Sequence, residues 1–273
     1  MELQQGAAPP ADTARPIPRI TPRPAEFRPA LLVVDMQEDF CPPNGSLAVT
    51  GGRDIVPAIN ALLANRTFVT RIATKDWHPP NHVSFAANHP PPNNIPFESQ
   101  VTITNPYNLS EKPYRTRLWP VHCVQHTPGA ELILELSLTL VDEIVEKGTD
   151  ARVEMYSCFH DPFEAPRVTD SGLEERLKEL GVTHVYVVGL AMDYCVKFSA
   201  IDARRAGFEV FVVAEGTKAV DAGRWGVVER ELAGFGIAVV RAGDNALRWL
   251  QAQPTSIKNG GGGGQAREVD AQP

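Results

Sequence analysis

HVYVVGLAMDYCVKFSAIDARRA, residues 184–206, changes its periodicity halfway along. From His184 to Leu190 it is an apolar, β-branched run interrupted near its end by Gly189, and beyond Cys195 the apolar positions recur at helical spacing. The stretch therefore predicts a strand, a tight turn and a helix. Cys195 falls where the helix begins. A thiol in a first helical turn lies near unpaired N–H groups and the positive end of the macrodipole, which favours thiolate over thiol. The competing reading is a small apolar core residue, because free cysteine is among the most buried residue types.

The same alternation extends outward in both directions. ALLVVD reads as a buried strand ending at Asp35, followed by a loop, MQEDFCPPNGSLAV, with Pro and Asn-Gly turn signals. DIVPAINALLANR from Asp54 is helical, and Thr67 to Thr74 is a strand that delivers Asp76 and His78. Residues 86–117 are rich in Pro and Asn without clear periodicity. A helix over Gly129 to Ser137, a strand over Leu140 to Glu146 ending in Lys147, and the helix SGLEERLKELG with Gly181 as C-cap come next. After the central stretch, FEVFVVA, a helix near Arg224 to Ala233 and the short strand IAVV repeat the pattern. Strands alternating with helices predict an α/β fold: a doubly wound, mainly parallel sheet with helices on both faces, in three layers α/β/α. In such sheets ligands bind beyond the carboxyl ends of the strands. Asp35, Asp76, Lys147 and Cys195 each lie at or just past a predicted strand end, so four reactive side chains share one rim. Singly, each has a plainer reading as a cap, a turn former, a surface charge or a core thiol.

Composition excludes several classes of function. The 273 residues carry 26 Lys and Arg against 33 Asp and Glu, a formal net charge of −7, and the basic residues form no stripe. Nucleic acid and anionic membrane are therefore not expected partners. No apolar run approaches a membrane span. Cys41, Cys123, Cys158 and Cys195 are widely separated with no CxxC pair, which suits a reducing compartment. Residues 1–29, rich in Pro, Ala and Arg, and residues 252–273, with the glycine run Gly260 to Gly264, read as disordered tails around one catalytic domain over 30–251.

KDWHPPNHVSF places Asp76, His78 and His82 close together, and His122 in WPVHC can approach from another loop. A carboxylate with two or three imidazoles suits a divalent ion such as Zn, Fe or Mn, although loop histidines are commonly just exposed. No strand is followed by G-x-G-x-x-G, so a dinucleotide-binding oxidoreductase of similar pattern is not supported.

Five motifs taken together carry a resemblance: LLVVDMQEDF, TKDWHPPNHVSF, LWPVHCVQHTPGAEL, IVEKG and GLAMDYCVKFSAIDA. In this order, over roughly residues 30–240, they resemble the isochorismatase-like cysteine hydrolases, and within that superfamily the nicotinamidases. The resemblance implies a catalytic set of Asp35, Lys147 and Cys195 and an oxyanion hole from the N–H groups of Ala191 and Cys195. It implies one divalent ion, zinc before iron or manganese, on Asp76, His78 and His122, and a non-proline cis peptide between Leu190 and Ala191. Phe40 and Trp119 correspond to rings that line the family's pocket. The implied activity is hydrolysis of nicotinamide to nicotinate and ammonia, with pyrazinamide as a further substrate; the alternative is a related amidohydrolase acting on another small amide or carbamoyl compound. A catalytically idle binding module would have no reason to keep nucleophile, base, lysine and metal ligands together. The expected compartment is cytoplasmic, compatible with a nuclear or peroxisomal pool, and a homo-oligomer is left open. Residues 86–117 resemble the insertion of eukaryotic-type members. Two departures stand out: His82, where some relatives carry a further ligand, and DARVEMYSCF after Lys147, with Met155 and Cys158 in place of smaller or more polar residues.

Overall fold

The computed structural model describes residues 22–251. The tail assignments for 1–21 and 252–273 lie outside the described residues. In chain order the main elements are β1 (Pro29–Val34), α1 (Val56–Leu63), β2 (Thr70–Asp76), β3 (Gln100–Ile103), β4 (Tyr114–Arg117), β5 (Glu143–Lys147), α2 (Leu173–Glu179), β6 (His184–Leu190), α3 (Cys195–Arg205), β7 (Glu209–Lys218), α4 (Trp225–Gly234), β8 (Ala238–Val240) and α5 (Asn245–Arg248). Six strands form one parallel sheet in the order β5-β2-β1-β6-β7-β8.

The sheet divides the core into two layers, and the strands show why. Along β1, Leu31 and Val33 face one layer while Ala30, Leu32 and Val34 face the other; along β6, Tyr186 and Val188 face the first, Val185 and Val187 the second. Both faces of a central strand are covered, so the strand reads as a continuous apolar run rather than an alternation. Val56, Ile59 and Leu63 of α1 and Ala246 of α5 close the first layer; Leu173 and Leu177 of α2, Val196 and Ala200 of α3, and Val228 and Leu232 of α4 close the second. The predicted doubly wound, three-layer α/β sheet is the observed one. The chain winds from β1 outward to β2 and β5, then returns to β6 on the opposite side of β1. The β1–β6 junction is thus the point where strand order reverses, and the crevice beyond it is the natural ligand site.

Three sequence readings change. The apolar spacing over 129–137 does not make a helix: only a 3-10 turn at Pro128–Ala130 forms. The backbone pairs instead with the loop after β1, through Glu38 N–H to Glu131 O at 2.9 Å and Ile133 N–H to Met36 O at 2.9 Å, while Leu132, Ile133 and Leu136 fill the core. Tertiary pairing has overridden the helical pattern. The strand placed at Leu140 to Glu146 begins later, at Glu143, and a 3-10 turn occupies Leu138–Leu140. The fold also starts before residue 30. Phe27 packs edge-on against Tyr186 and Trp249, and the Arg28 guanidinium donates to the carbonyls of Leu180 and Gly181 at 2.9 and 3.1 Å. A composition average over the Pro- and Arg-rich stretch hides this one aromatic anchor. Within 86–117, β3 and β4 form an antiparallel hairpin.

Gly189 is the tightest point of the β1–β6 junction. Its φ is 108°, and a Cβ there would lie 2.0 Å from the Val34 carbonyl oxygen. Gly189→Ala is expected to lower the unfolding free energy by roughly 2–4 kcal/mol, read by denaturant titration of the purified chain. An unchanged midpoint would mean that the junction can widen.

Candidate active site

Four strand ends deliver reactive side chains to one rim. Asp35 follows β1 directly and holds φ 48°, a left-handed conformation that costs a non-glycine residue of the order of 1–3 kcal/mol. Thr74 of β2 fixes it: the hydroxyl donates to Asp35 Oδ1 at 2.6 Å and accepts from the Asp35 N–H at 3.2 Å. Lys147, the last residue of β5, is buried. Its Nζ lies 2.9 Å from Asp35 Oδ2 and 3.5 Å from Cys195 Sγ, and it contacts Asp76 Oδ1 and the Met155 carbonyl. One carboxylate oxygen each of Asp35 and Asp76 and the sulfur of Cys195 all lie within 4.8 Å of one another.

Burial and neighbouring charge compete over the charge states here. Burial raises Asp35 above the ordinary carboxylate value even though Lys147 opposes it. Burial works against charge on Asp76 as well, but Lys147 and then His78 hold that carboxyl below the usual range. The Lys147 ammonium is also penalised by burial, and the charges of Asp35 and Asp76 more than offset this, raising it well above an ordinary amine. For Cys195, burial outweighs the Lys147 charge, and Asp35 and Asp76 add to it, so the thiol is pushed well above its ordinary value. The thiolate expected from its place at the head of α3 is thereby corrected: burial beside two carboxylates favours the thiol. Its proton has a nearby acceptor in Asp35, whose raised affinity suits that task.

Beside this set stands a second one. Asp76 Oδ2 is 3.5 Å from His78 Nε2 and 3.9 Å from His122 Nε2, and the three ligand atoms lie within 4.8 Å of one another. His78 Nδ1 faces the Gly148 carbonyl at 2.8 Å, and His122 Nδ1 faces the Pro120 carbonyl at 2.7 Å. Carbonyls only accept, so each Nδ1 carries a proton, and in the neutral ring each Nε2 has a lone pair turned toward Asp76. His78 Nε2 is buried with no hydrogen-bond partner. An orphaned imidazole nitrogen, a second one and a carboxylate oxygen around one small space fit a divalent cation. His82 does not join them. Its Nδ1 accepts from Ser84 and its Nε2–H donates to the Val153 carbonyl at 3.0 Å, so neither nitrogen is spare, and the ring stacks on His78 at 4.0 Å.

Phe40, Trp119, Ala191 and Cys195 line one pocket together with Asp76 and His122. Cys195 opens α3, so its N–H has no intrahelical acceptor, and the preceding turn is fixed by the Tyr194 and Val196 N–H groups donating to the Ala191 carbonyl. The Leu190–Ala191 peptide is cis. Sequence reading missed Tyr156 and Tyr194, which complete the aromatic wall. Trp119 Nε1–H donates to the Tyr156 hydroxyl at 2.9 Å, and that hydroxyl pairs with Thr116 of β4 at 2.7 Å; Tyr194 stands edge-on to Trp119 at 4.8 Å. Only the adjacency of Tyr194 to Cys195 could have flagged either. The unusual Met155 contributes its carbonyl to Lys147, and the Cys158 N–H donates to Ser199 Oγ at 3.0 Å. These backbone contacts do not depend on which side chain stands there.

The isochorismatase domain family matches residues 29–242. The nicotinamidase of Acinetobacter baylyi is 44% identical over 193 residues, which is 70% of this chain and 82% of that protein. Among solved structures, the yeast nicotinamidase bound to the inhibitor nicotinaldehyde superposes with a TM-score of 0.72 at 34% identity, over 78% of this chain and 99% of that one. The pyrazinamidase of Pyrococcus horikoshii in complex with zinc gives 0.59 at 33% identity, over 78% and 99%.

Two outcomes are expected from this geometry. Cys195→Ala should lower kcat/KM for amide hydrolysis by at least ~10⁴-fold while leaving the circular dichroism spectrum unchanged, the outcome expected of a nucleophile whose Cβ alanine retains. Asp35 must be ionised to take a proton, and its affinity is raised, so kcat/KM should fall as pH drops through a value above the ordinary 3.8. An acid limb at or below that value in a pH–rate profile would remove Asp35 as the base; the limb itself belongs to the coupled Asp35–Cys195 pair.

Proposed function

The chain belongs to the isochorismatase family, and from that membership we propose that it is a nicotinamidase, hydrolysing nicotinamide to nicotinate and ammonia. The observation that carries this reading is the position of Lys147 Nζ. It touches Asp35, Asp76 and Cys195 at once, joining a nucleophile and its base to a set of cation ligands on one aromatic-walled pocket.

Asp35 accepts the thiol proton of Cys195 as the sulfur attacks the carboxamide carbon. The transfer leaves the net charge beside Lys147 unchanged, with a neutral carboxyl and a thiolate replacing a carboxylate and a thiol. The Lys147 ammonium stabilises the new thiolate, and burial, which raises Asp35, favours its neutral form. As the carbonyl oxygen gains charge, the N–H groups of Ala191 and Cys195 receive it; a donor of this kind is worth roughly 2.7–4 kcal/mol in other acyl-transfer sites. Asp35 returns its proton to the departing nitrogen and ammonia leaves. The same carboxylate then takes a proton from water, whose oxygen attacks the thioester, and the proton finally returns to sulfur as nicotinate is released.

Asp76, His78 and His122 would hold a divalent ion, for which zinc is our assignment, and the chemistry it supplies when bound is orientation of the substrate ring through its nitrogen. Phe40 and Trp119 hold that ring by stacking, a contribution of roughly 0.5–1.5 kcal/mol beyond the area buried. We assign the activity to pyridine-nucleotide salvage in a reducing, cytoplasmic compartment, which is supported by four cysteines that are all free and buried. Among the described residues no helix is long and apolar enough to cross a membrane.

A substrate panel read by released ammonia tests the assignment. Nicotinamide and pyrazinamide, which share a ring nitrogen in the required position, should both be hydrolysed, and benzamide, which stacks equally well without one, should be at least ~10-fold poorer in kcat/KM. Chelation should lower activity and thermal stability together, since an ion bound only to the native state stabilises it. Equal efficiency on benzamide would sink the ring-nitrogen argument. Activity confined to carbamoyl compounds or aliphatic amides would favour the related amidohydrolase instead.

A further inference from the structure

The loop after β1 supplies Asp35 and Phe40 to the pocket, yet two other polar side chains on it have no part in the chemistry above. Gln37 is fully buried. Its Oε1 accepts the Asp76 N–H at 2.8 Å, and its Nε2 donates to the Asp76 carbonyl at 2.8 Å and to the Ala130 carbonyl at 2.9 Å. The ladder between β1 and β2 ends at Val33 and Ala73, because β1 stops at Val34. On its other side Asp76 pairs with Lys147 of β5. The Gln37 amide therefore takes the place of the backbone that a longer β1 would have set beside Asp76: a primary amide offers the same acceptor and donor as a peptide group.

Asp39 acts on the opposite side of the cation ligands. Its Oδ2 accepts the Cys123 N–H at 2.7 Å. The Cys123 carbonyl in turn accepts the His78 N–H at 3.0 Å, and Cys123 directly follows His122 with φ 46°. One residue thus ties the two histidine segments together, and Asp39 holds that residue in a backbone conformation which a non-glycine side chain seldom adopts. Gly129 packs flat on the Asp39 carboxylate, where a Cβ would lie 2.2 Å from Oδ2, so the carboxylate has no room to swing toward the glycine.

We infer that Gln37 and Asp39 are positioning residues that set the spacing of Asp76, His78 and His122, and thereby the affinity of that trio for a divalent cation. The inference rests on the cation site proposed above. Neither side chain would touch the ion. Gln37 fixes the Asp76 backbone between two partners, and Asp39 fixes the joint from which both histidines are hung. A purely structural role would instead make each substitution reduce stability without a particular effect on the cation.

The test measures Zn²⁺ dissociation constants of the full chain, stripped and reloaded, by competition with a chromophoric chelator. Gln37→Met, which keeps volume but no hydrogen bonds, and Asp39→Ala should each weaken Zn²⁺ binding by roughly 10–100-fold, as removal of outer partners does at other metal sites. Asp39→Asn keeps an oxygen acceptor for the Cys123 N–H and should recover most of the loss. Tyr186→Phe removes a buried hydrogen bond to the Ala246 carbonyl and should lower stability with no change in Zn²⁺ affinity. The rate of Cys195 alkylation in the metal-free variants should match wild type. Wild-type affinity in both Gln37→Met and Asp39→Ala, or an equal loss in Tyr186→Phe, overturns the inference. If Gln37→Met does not fold, the contrast between Asp39→Ala and Asp39→Asn decides alone. A wild-type chain that takes up no Zn²⁺ sinks the cation-site reading and this inference with it, whereas a loaded wild type with unaffected variants sinks this inference only.

Discussion

A fully buried ammonium, that of Lys147, holds the site together. Moving such a charge out of water costs several kcal/mol after relaxation, and it is tolerated only when counter-charges and hydrogen-bond acceptors converge on it. Asp35, Asp76 and the Met155 carbonyl are those partners. The dependence runs both ways. Without the lysine, two buried carboxylates with oxygens within 4.8 Å of each other would be left facing one another, and one of them would be forced to take up a proton. The Asp35–Cys195 pair and the Asp76–His78–His122 trio are therefore one electrostatic unit, with the lysine in contact with both.

That unit exists because of strand order. Lys147 ends β5, Asp76 ends β2 and Asp35 follows β1, and these three strands are consecutive neighbours in the sheet; Cys195 arrives from β6 on the far side of β1. Backbone hydrogen bonds fix neighbouring strands about 4.8 Å apart, so side chains at the ends of adjacent strands meet without any loop having to be ordered for the purpose. Gly189 contributes by letting β6 approach β1 where a Cβ would collide with the Val34 carbonyl. The positive φ of Asp35 then ends the strand at the point where its carboxyl is needed.

This placement explains what could be read from the residues alone. Asp35, Asp76, Lys147 and Cys195 were legible because each stands at or just past the end of a run whose pattern announces a strand. The central strand and helix of 184–206 were legible to the residue for the same reason. The segment 129–137 was not, because its Leu and Ile spacing mimics a helix while its backbone bonds are taken by the loop after β1; partners nearly a hundred residues away leave no local mark. The shift of Cys195 was also beyond reach, since position in a helix gives the dipole but not the burial that opposes it. Likewise, His82 sits in the same motif as His78, and only its engaged ring nitrogens separate a neighbour of the ligands from a ligand.

The pocket wall obeys a different rule from the rim, and it was the least legible part. Trp119, Tyr156 and Tyr194 come from three separate loops, so no sheet geometry brings them together. What locates them is the hairpin of β3 and β4. Thr116 of β4 meets the Tyr156 hydroxyl, which receives the Trp119 N–H, and Phe97 stands edge-on to Trp119 at 5.7 Å. A buried hydroxyl between two partners has little choice of position, because leaving either bond unmade costs about 1–3 kcal/mol. The segment that lacked periodicity thus acts on the site through hydrogen bonds and ring contacts rather than through the sheet. Reactive side chains stand on the strand ends, where placement is a consequence of the fold, and the aromatic wall stands on loops that a separate hairpin contacts.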